Sequence, residues 1–161
     1  MSADIRPLSA SGVPAILPLV EQYWLFEDIA GFDPARIGRE LERACADERL
    51  ASGWIAFLRG QPVGYLLAVY VFSLEHLGLT AEIDEFFVLP SARGKGLGDA
   101  LLRLAEAEFL RRGCTNVALQ LGRGNDQARV FYRAHGYSER AGYELLDKML
   151  PDRRESRSWP R

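Results

Sequence analysis

Residues Ala81 to Leu121 constrain the fold more than any other stretch of the chain. AEIDEFFVL reads as a strand, GLGDALLRLAEAEFLRR as a helix and TNVALQL as a second strand. The helix sets Leu97, Leu101, Ala105 and Phe109 on one face, and Gly113 stops it. Two strands joined through a helix pair in parallel by a right-handed crossover. A chain built around such a unit is an α/β or α+β protein.

The flanking segments fill in a mixed sheet. Residues 3–9 read as a short first strand. VPAILPLVEQYWLFE reads as a helix with Pro14 in its first turn and Pro18 as a kink. FDPARIGRELERACAD starts a second helix, with Asp33 as N-cap and Pro34 at the first helical position. WIAFLRG and VGYLLAVYVFS are strands separated by the hairpin-like break Gly60-Gln61-Pro62. LEHLGLT is a loop. NDQARVFYRAH is a short helix ended by Gly136, and YSERAGYELLDKML closes the chain as one or two strands. The expected organisation is one α/β (α+β) domain over residues 1–150, a mixed central sheet flanked by helices. A polar, Arg-rich tail over 151–161 follows it.

Bulk properties exclude several classes. The chain has 161 residues, 48% hydrophobic and 26% charged, enough to bury a core without metals or disulfides. Its net charge of −2 argues against a nucleic-acid binder. Four Arg in the tail leave the body mildly acidic, which suits a cationic partner. Cys45 and Cys114 form neither a disulfide framework nor a metal spacing, so free thiols and no metal are expected. The N-terminus lacks an apolar signal core and no run reaches membrane-spanning length. The expectation is a soluble cytoplasmic protein.

The helix entrance carries the chemistry. A helix start exposes free N–H groups and the positive end of the dipole, and phosphates bind there. Gly94, Gly96 and Gly98 allow close approach, and Arg93 and Lys95 add positive charge. The spacing is not a P-loop, because Lys95 is followed by Gly96 with no Ser or Thr. Nor is it the dinucleotide fingerprint, whose glycines are spaced differently and sit early in a parallel sheet. Arg93-Gly94-Lys95-Gly96-Leu97-Gly98 resembles the R/Q-x-x-G-x-G/A signature of the GNAT superfamily of N-acetyltransferases. Asn125, Ala128, Tyr132, Gly136 and Tyr137 match that family's N-x-x-A-x-x-x-Y-x-x-x-G-[FY] block in spacing and order. The resemblance covers about residues 81–150.

This resemblance implies transfer of an acetyl group from acetyl-CoA to an amine. It implies that backbone groups of Phe86, Phe87 and Val88 pair with the pantetheine arm. The N–H groups from Gly94 through Lys95, Gly96, Leu97 and Gly98 to Asp99 would hold the pyrophosphate. Asn125 would contact the cofactor arm, and Tyr132 would protonate the departing thiolate. A phenol, with a pKa near 10, can protonate a thiolate whose thiol titrates near 8.5.

The amine must lose a proton before it attacks. Asp84 and Glu85 lie in EIDEFFV, which is similar to the LEDFFV-like strand of polyamine and diamine acetyltransferases, with the acids in reverse order. Strict alternation points the two to opposite faces, and a β-bulge would bring both to the cleft. Asp84 is the base by position and Glu85 the alternative. Candidate acceptor contacts are Tyr23, Trp24, Phe26, Glu27, Tyr70, Glu75 and His76, aromatic walls and carboxylates suited to an ammonium group. Transfer is expected to be direct, since no Cys or Ser sits in an activated setting. The acceptor is a small-molecule or peptide amine. Homodimers are frequent in this family. A non-catalytic acyl-CoA sensor of the same fold is the alternative.

Overall fold

The computed structural model describes residues 4–151, so residues 152–161 of the expected tail lie outside the described residues. The chain divides into two compact units, one ending at Gly122 and the other beginning at Arg123.

The first unit is a five-stranded mixed sheet in the order β1-β2-β3-β4-β5. Its strands are β1 (Asp4–Pro7), β2 (Ala51–Leu58), β3 (Gln61–Ser73), β4 (Gly78–Val88) and β5 (Asn116–Leu119). β1 to β4 pair antiparallel, and β4 pairs with β5 in parallel. The helix α3 (Leu97–Arg111) makes the β4–β5 crossover and buries the expected stripe of Leu97, Leu101, Ala105 and Phe109. Phe109 packs edge-on against Trp54 and Tyr70.

The opposite side of the sheet carries α1 (Val13–Phe26) and α2 (Pro34–Ala46). Val13, Ile16, Leu19, Val20 and Leu41 form one core cluster with Ile55, Tyr65 and Phe87. Pro18 lies inside α1 without an N–H for the ladder, a cost of about 3 kcal/mol. Four buried apolar side chains on α1, at about 1.5–3 kcal/mol each, more than offset it. Asp33 caps α2 as expected, its Oδ1 accepting from the N–H groups of Ala35 and Arg36 at 3.0 Å.

The β3–β4 ladder contains the irregularity that matters. Leu67 opposes Glu85 and Ala68 opposes Ile83, so Asp84 is an extra residue with no partner on β3. This is a bulge, and it breaks the strict in-out alternation of the strand. The β4–β5 ladder ends at Ile83 and Leu119. From Glu85 to Val88, β4 therefore has no β5 neighbour. The β3–β4 hairpin is longer than the sequence suggests, because the expected loop LEHLGLT shrinks to residues 74–77.

In the second unit, α4 (Asp126–Ala134) explains the spacing of the second sequence block. The Asn125 side chain caps the helix, its Oδ1 accepting from Ala128 N–H at 3.1 Å. Gly136 has φ of 85°, the left-handed cap conformation. Gly136 N–H bonds to the Arg133 carbonyl and Tyr137 N–H to the Tyr132 carbonyl, both at 3.1 Å. The Tyr132 and Tyr137 rings pack 5.3 Å apart, which completes a Schellman cap. Each fixed position of the block thus has a place in the capping of one short helix.

The closing strands expected from YSERAGYELLDKML are corrected by the structure. Residues 138–151 contain a turn but no strand. A strand needs a neighbour for its N–H and C=O groups, and no strand lies among the described residues of this unit to provide one. Among the described residues, no helix is long and apolar enough to cross a membrane.

Candidate active site

The bulge gathers polar side chains around an otherwise apolar strand. Glu85 accepts hydrogen bonds from Trp24 Nε1 on α1 and from Tyr65 OH on β3, both at 2.8 Å. Each carboxylate oxygen therefore has its own donor. Hydrogen bonds to a charged group contribute about 1.5–3 kcal/mol each, so this carboxylate is firmly held. Burial raises its pKa, the two donors lower it and the Asp84 charge raises it, and the balance stays above the ordinary carboxylate range.

Asp84 differs in each respect. It is exposed, and it has no hydrogen-bond partner among the described residues. Surrounding protein displaces part of its water, and the Glu82 carboxylate stands nearby; both effects hold its carboxyl above the usual range. Because the side chain remains accessible, that desolvation is partial. Asp84 and Glu85 both act electrostatically on the hydroxyls of Tyr23 and Tyr65. Burial first, then Glu27, Glu85 and Asp84, push the Tyr23 phenol up to about 12. Tyr65 is fully buried and its phenol lies far above the ordinary range.

Tyr65 was missed by sequence reasoning. Two signals could have found it: a buried tyrosine needs a partner for its hydroxyl, and a glutamate within an apolar strand needs donors. Antiparallel pairing of VGYLLAVY with DEFFV brings the two into reach.

The glycine-lined entrance follows β4. Gly94 and Gly96 have φ of 72° and 76°, where side chains are strained, and a Cβ at either would meet nothing within 4 Å. Gly96 is the N-cap of α3 and supplies no side-chain cap. The N–H groups of Gly94, Lys95, Gly96, Leu97 and Gly98 find no acceptor among the described residues. The result is an open pocket of donors at the positive end of a helix. The two cations lean away from it. Arg93 Nε donates to the Val88 carbonyl at 2.9 Å, and Lys95 Nζ donates to the Ser91 carbonyl at 3.1 Å. Asp99, in the first turn of α3, pairs with Arg103 at 2.9 Å.

The structure gathers some of the expected residues and separates others. Tyr23, Trp24, Phe26 and Glu27 sit at the C-terminal end of α1, and Phe87 packs against Tyr23 at 6.1 Å. Phe86 pairs with Leu66, on the other face from Phe87. Tyr70 faces α3: its ring packs on Phe109 and beneath Arg112, and its hydroxyl donates to Ser52 Oγ. Glu75 and His76 occupy the hairpin tip, where the His76 carbonyl accepts from Thr115 Oγ1. Six strand residues, about 20 Å, separate that tip from the bulge. The long hairpin thus removes Glu75 and His76 from the carboxylate site, and Tyr70 is turned away from it onto the α3 face. Asn125 and Tyr132 belong to the second unit. Among the described residues, no group of three or more His, Cys, Asp or Glu is placed to hold a metal.

Known proteins are similar to this chain in sequence and in fold. The model of the acetyltransferase (GNAT) family matches residues 16–137. An uncharacterized N-acetyltransferase of Bacillus subtilis, YhfO, is 28% identical over 144 residues, 87% of this chain and 93% of its own. The aminoalkylphosphonate N-acetyltransferase of Salmonella typhimurium is 33% identical over 85 residues, 53% of this chain and 55% of that enzyme. A solved aminoglycoside N-acetyltransferase, AAC(6')-Iy in complex with CoA, has the same fold. Its TM-score is 0.80 over 92% of this chain and 96% of that chain, at 19% identity.

Proposed function

The chain belongs to the acetyltransferase (GNAT) family and is an acetyl-CoA-dependent N-acetyltransferase, and on that premise we propose that it acetylates a primary amine of a small cationic molecule, with Asp84 as base and Tyr132 as acid. The observation that carries this reading is the bulge, which leaves Asp84 with no residue opposite it on β3 and no hydrogen-bond partner among the described residues, beside a Glu85 whose two oxygens are both engaged.

Acetyl-CoA supplies an activated thioester and a thiolate leaving group. The residues present fit that molecule. Gly94 and Gly96 leave open space where a Cβ would intrude, and the N–H groups from Gly94 to Gly98 have no acceptor among the described residues. Beyond Ile83 the edge of β4 away from β3 has no strand neighbour among the described residues, which suits pairing with an amide-bearing arm.

Asp84 takes the amine proton. An alkylamine titrates near 10.4, so it arrives protonated at neutral pH. A carboxylate with a raised pKa accepts that proton more readily than an ordinary one. Glu85, with both oxygens engaged, fixes α1 to β4 through Trp24. Tyr23, Trp24 and Phe26 offer aromatic faces to a cation, and Glu27 and Glu85 offer charge. Relatives named for aminoalkylphosphonate and aminoglycosides support a small amine. Direct transfer is the reading that fits the two thiols, since burial pushes both Cys45 and Cys114 up and away from thiolate character.

The test is thiol release from acetyl-CoA with spermidine, putrescine, 2-aminoethylphosphonate, kanamycin and a lysine peptide. Release with one of the small amines is expected. Release with the peptide alone overturns the small-amine assignment, and acetyl-CoA binding without release from any amine overturns the choice of acceptor class.

Tyr132→Phe tests the acid. Phenylalanine keeps the ring that packs on Tyr137 and leaves the helix cap intact. The expected loss in kcat is about 10²-fold or more, with acetyl-CoA affinity unchanged by calorimetry. Equal losses in both quantities would refute the role.

A further inference from the structure

We propose that Arg93 is a positioning residue that ties the donor end of β4 to the acceptor helix α1, and does not serve as a charge for the donor's phosphates. The proposal rests on the acetyltransferase reading above. Its sequence position beside the glycines points to a phosphate, but its contacts point elsewhere. Arg93 Nε donates to the Val88 carbonyl at 2.9 Å, at the last residue of β4. Its guanidinium carbon lies 5.7 Å from the ring centroid of Phe26 and 5.9 Å from that of Phe87.

These two rings belong to different parts of the site. Phe87 is buried on β4 and packs against Tyr23. Phe26 is the last residue of α1 and is 55% exposed. An exposed ring on a helix end is free to move unless something holds it. A flat guanidinium can bond a carbonyl along its edge and stack on rings with its face. An ammonium cannot do both. Arg93 therefore links the strand end, the core ring and the helix end through one side chain.

This is the second tie between the same two elements. Trp24 bonds to Glu85, and Arg93 links Phe26 to Val88, three residues further along β4. Trp24 and Phe26 flank the turn of α1 that presents the acceptor aromatics, and Asp84 adjoins Glu85. Two ties fix both the distance and the tilt of the helix end over the strand. A displacement of about 1 Å in such a site can cost about 10²-fold in rate. Loss of Arg93 is therefore expected to be felt where the amine docks.

The experiment begins with the wild-type protein. Its affinity for acetyl-CoA is measured by calorimetry. Its turnover is measured with spermidine, kanamycin or 2-aminoethylphosphonate, whichever reacts fastest. Arg93→Lys keeps the charge and loses the flat fork; Arg93→Gln loses the charge. Both are expected to raise the amine KM by about tenfold, with acetyl-CoA Kd within about threefold of wild type. Phe26→Leu is expected to raise the amine KM similarly, and the double variant Phe26→Leu with Arg93→Lys to add little to either.

Acetyl-CoA affinity that falls tenfold in Arg93→Gln but not in Arg93→Lys overturns the proposal and restores the phosphate role. An amine KM unmoved in both Arg93 variants also overturns it. If neither Arg93 variant folds by thermal melting, Phe26→Leu decides, and an unchanged amine KM there overturns the tie. A wild-type protein that binds no acetyl-CoA overturns the acetyltransferase reading and this proposal together. Wild-type turnover with phosphate-like behaviour in the variants overturns only the proposal.

Discussion

Asp84→Asn is expected to lower kcat by about 10²–10⁴-fold while acetyl-CoA affinity stays at the wild-type value. Asparagine has nearly the shape of aspartate, and Asp84 has no hydrogen-bond partner among the described residues to lose. The fold is indifferent to the change, and only the proton acceptor is gone. Glu85→Gln should behave in the opposite way. Its carboxylate accepts from Trp24 and Tyr65, and an amide offers one oxygen and one donor group in their place. The Tyr65 hydroxyl can turn to accept, but the charge-assisted bonds are lost. The cost is about 1–2 kcal/mol, a fall in Tm of roughly 2–8 °C, with a smaller loss of turnover than at Asp84. If Glu85→Gln melts like wild type and loses the larger share of activity, the base is Glu85.

The pH profile separates the same two residues by sign. Partial burial and the Glu82 carboxylate both disfavour the ionised form of Asp84. Its proton is therefore lost at a higher pH than from an ordinary aspartate, near 3.9. As pH falls, the base is protonated, and the acid limb of kcat lies above that value. Glu82→Gln removes a like charge and moves the limb to lower pH. Profiles of kcat at saturating amine and acetyl-CoA, for wild type and both variants, check this. Asp84→Asn should abolish the limb; a limb that persists in Asp84→Asn at the wild-type position assigns it to another group.

Local features were readable in the sequence, and features set by distant pairing were not. The stripe of Leu97, Leu101, Ala105 and Phe109 declares its helix within four turns, and all four are buried. The Asp33 cap is equally local. The bulge could be named only as a condition, because it exists in the register between Leu67 and Ala68 on one strand and Glu85 and Ile83 on the next. Tyr65 stayed hidden for the same reason. The hairpin was read as two strands around a seven-residue loop, which kept Glu75 and His76 near the site. In the structure β3 and β4 continue pairing as far as Ser73 and Gly78 and carry those two residues away from it, while Tyr70, three residues from the bulge, faces α3. Of the second block, the sequence showed the spacing and the structure its cause: an Asn cap, a left-handed Gly and two tyrosine rings packed edge-on at the end of one short helix.

Gly96→Asp is expected to weaken acetyl-CoA binding by about 10²-fold or more, and the protein should remain folded. The substituted side chain enters open space, since nothing lies within 4 Å of a Cβ at this position. The backbone φ of 76° strains most side chains, but aspartate and asparagine tolerate the left-handed region better than others. An acid at the N-cap of α3 also favours the helix, because it accepts from the first-turn N–H groups and opposes the dipole. Stability should therefore change by no more than about 1 kcal/mol. Binding suffers for the same reasons that the fold does not. The carboxylate takes the donors a diphosphate would use, and it places like charge against it. At about 4 Å the repulsion between unit charges is ~1 kcal/mol in water and ~4 kcal/mol at the effective dielectric of a protein surface. That range corresponds to roughly five-fold to a thousand-fold in affinity. Gly96→Asn separates the two causes, since it occupies the donors without the charge. A large gap between the Asp and Asn variants, narrowing as salt is raised, assigns the loss to repulsion. Equal losses assign it to occupied donors. Wild-type affinity in Gly96→Asp means that the donor's phosphates lie elsewhere, and that the three glycines serve only to turn the chain into α3.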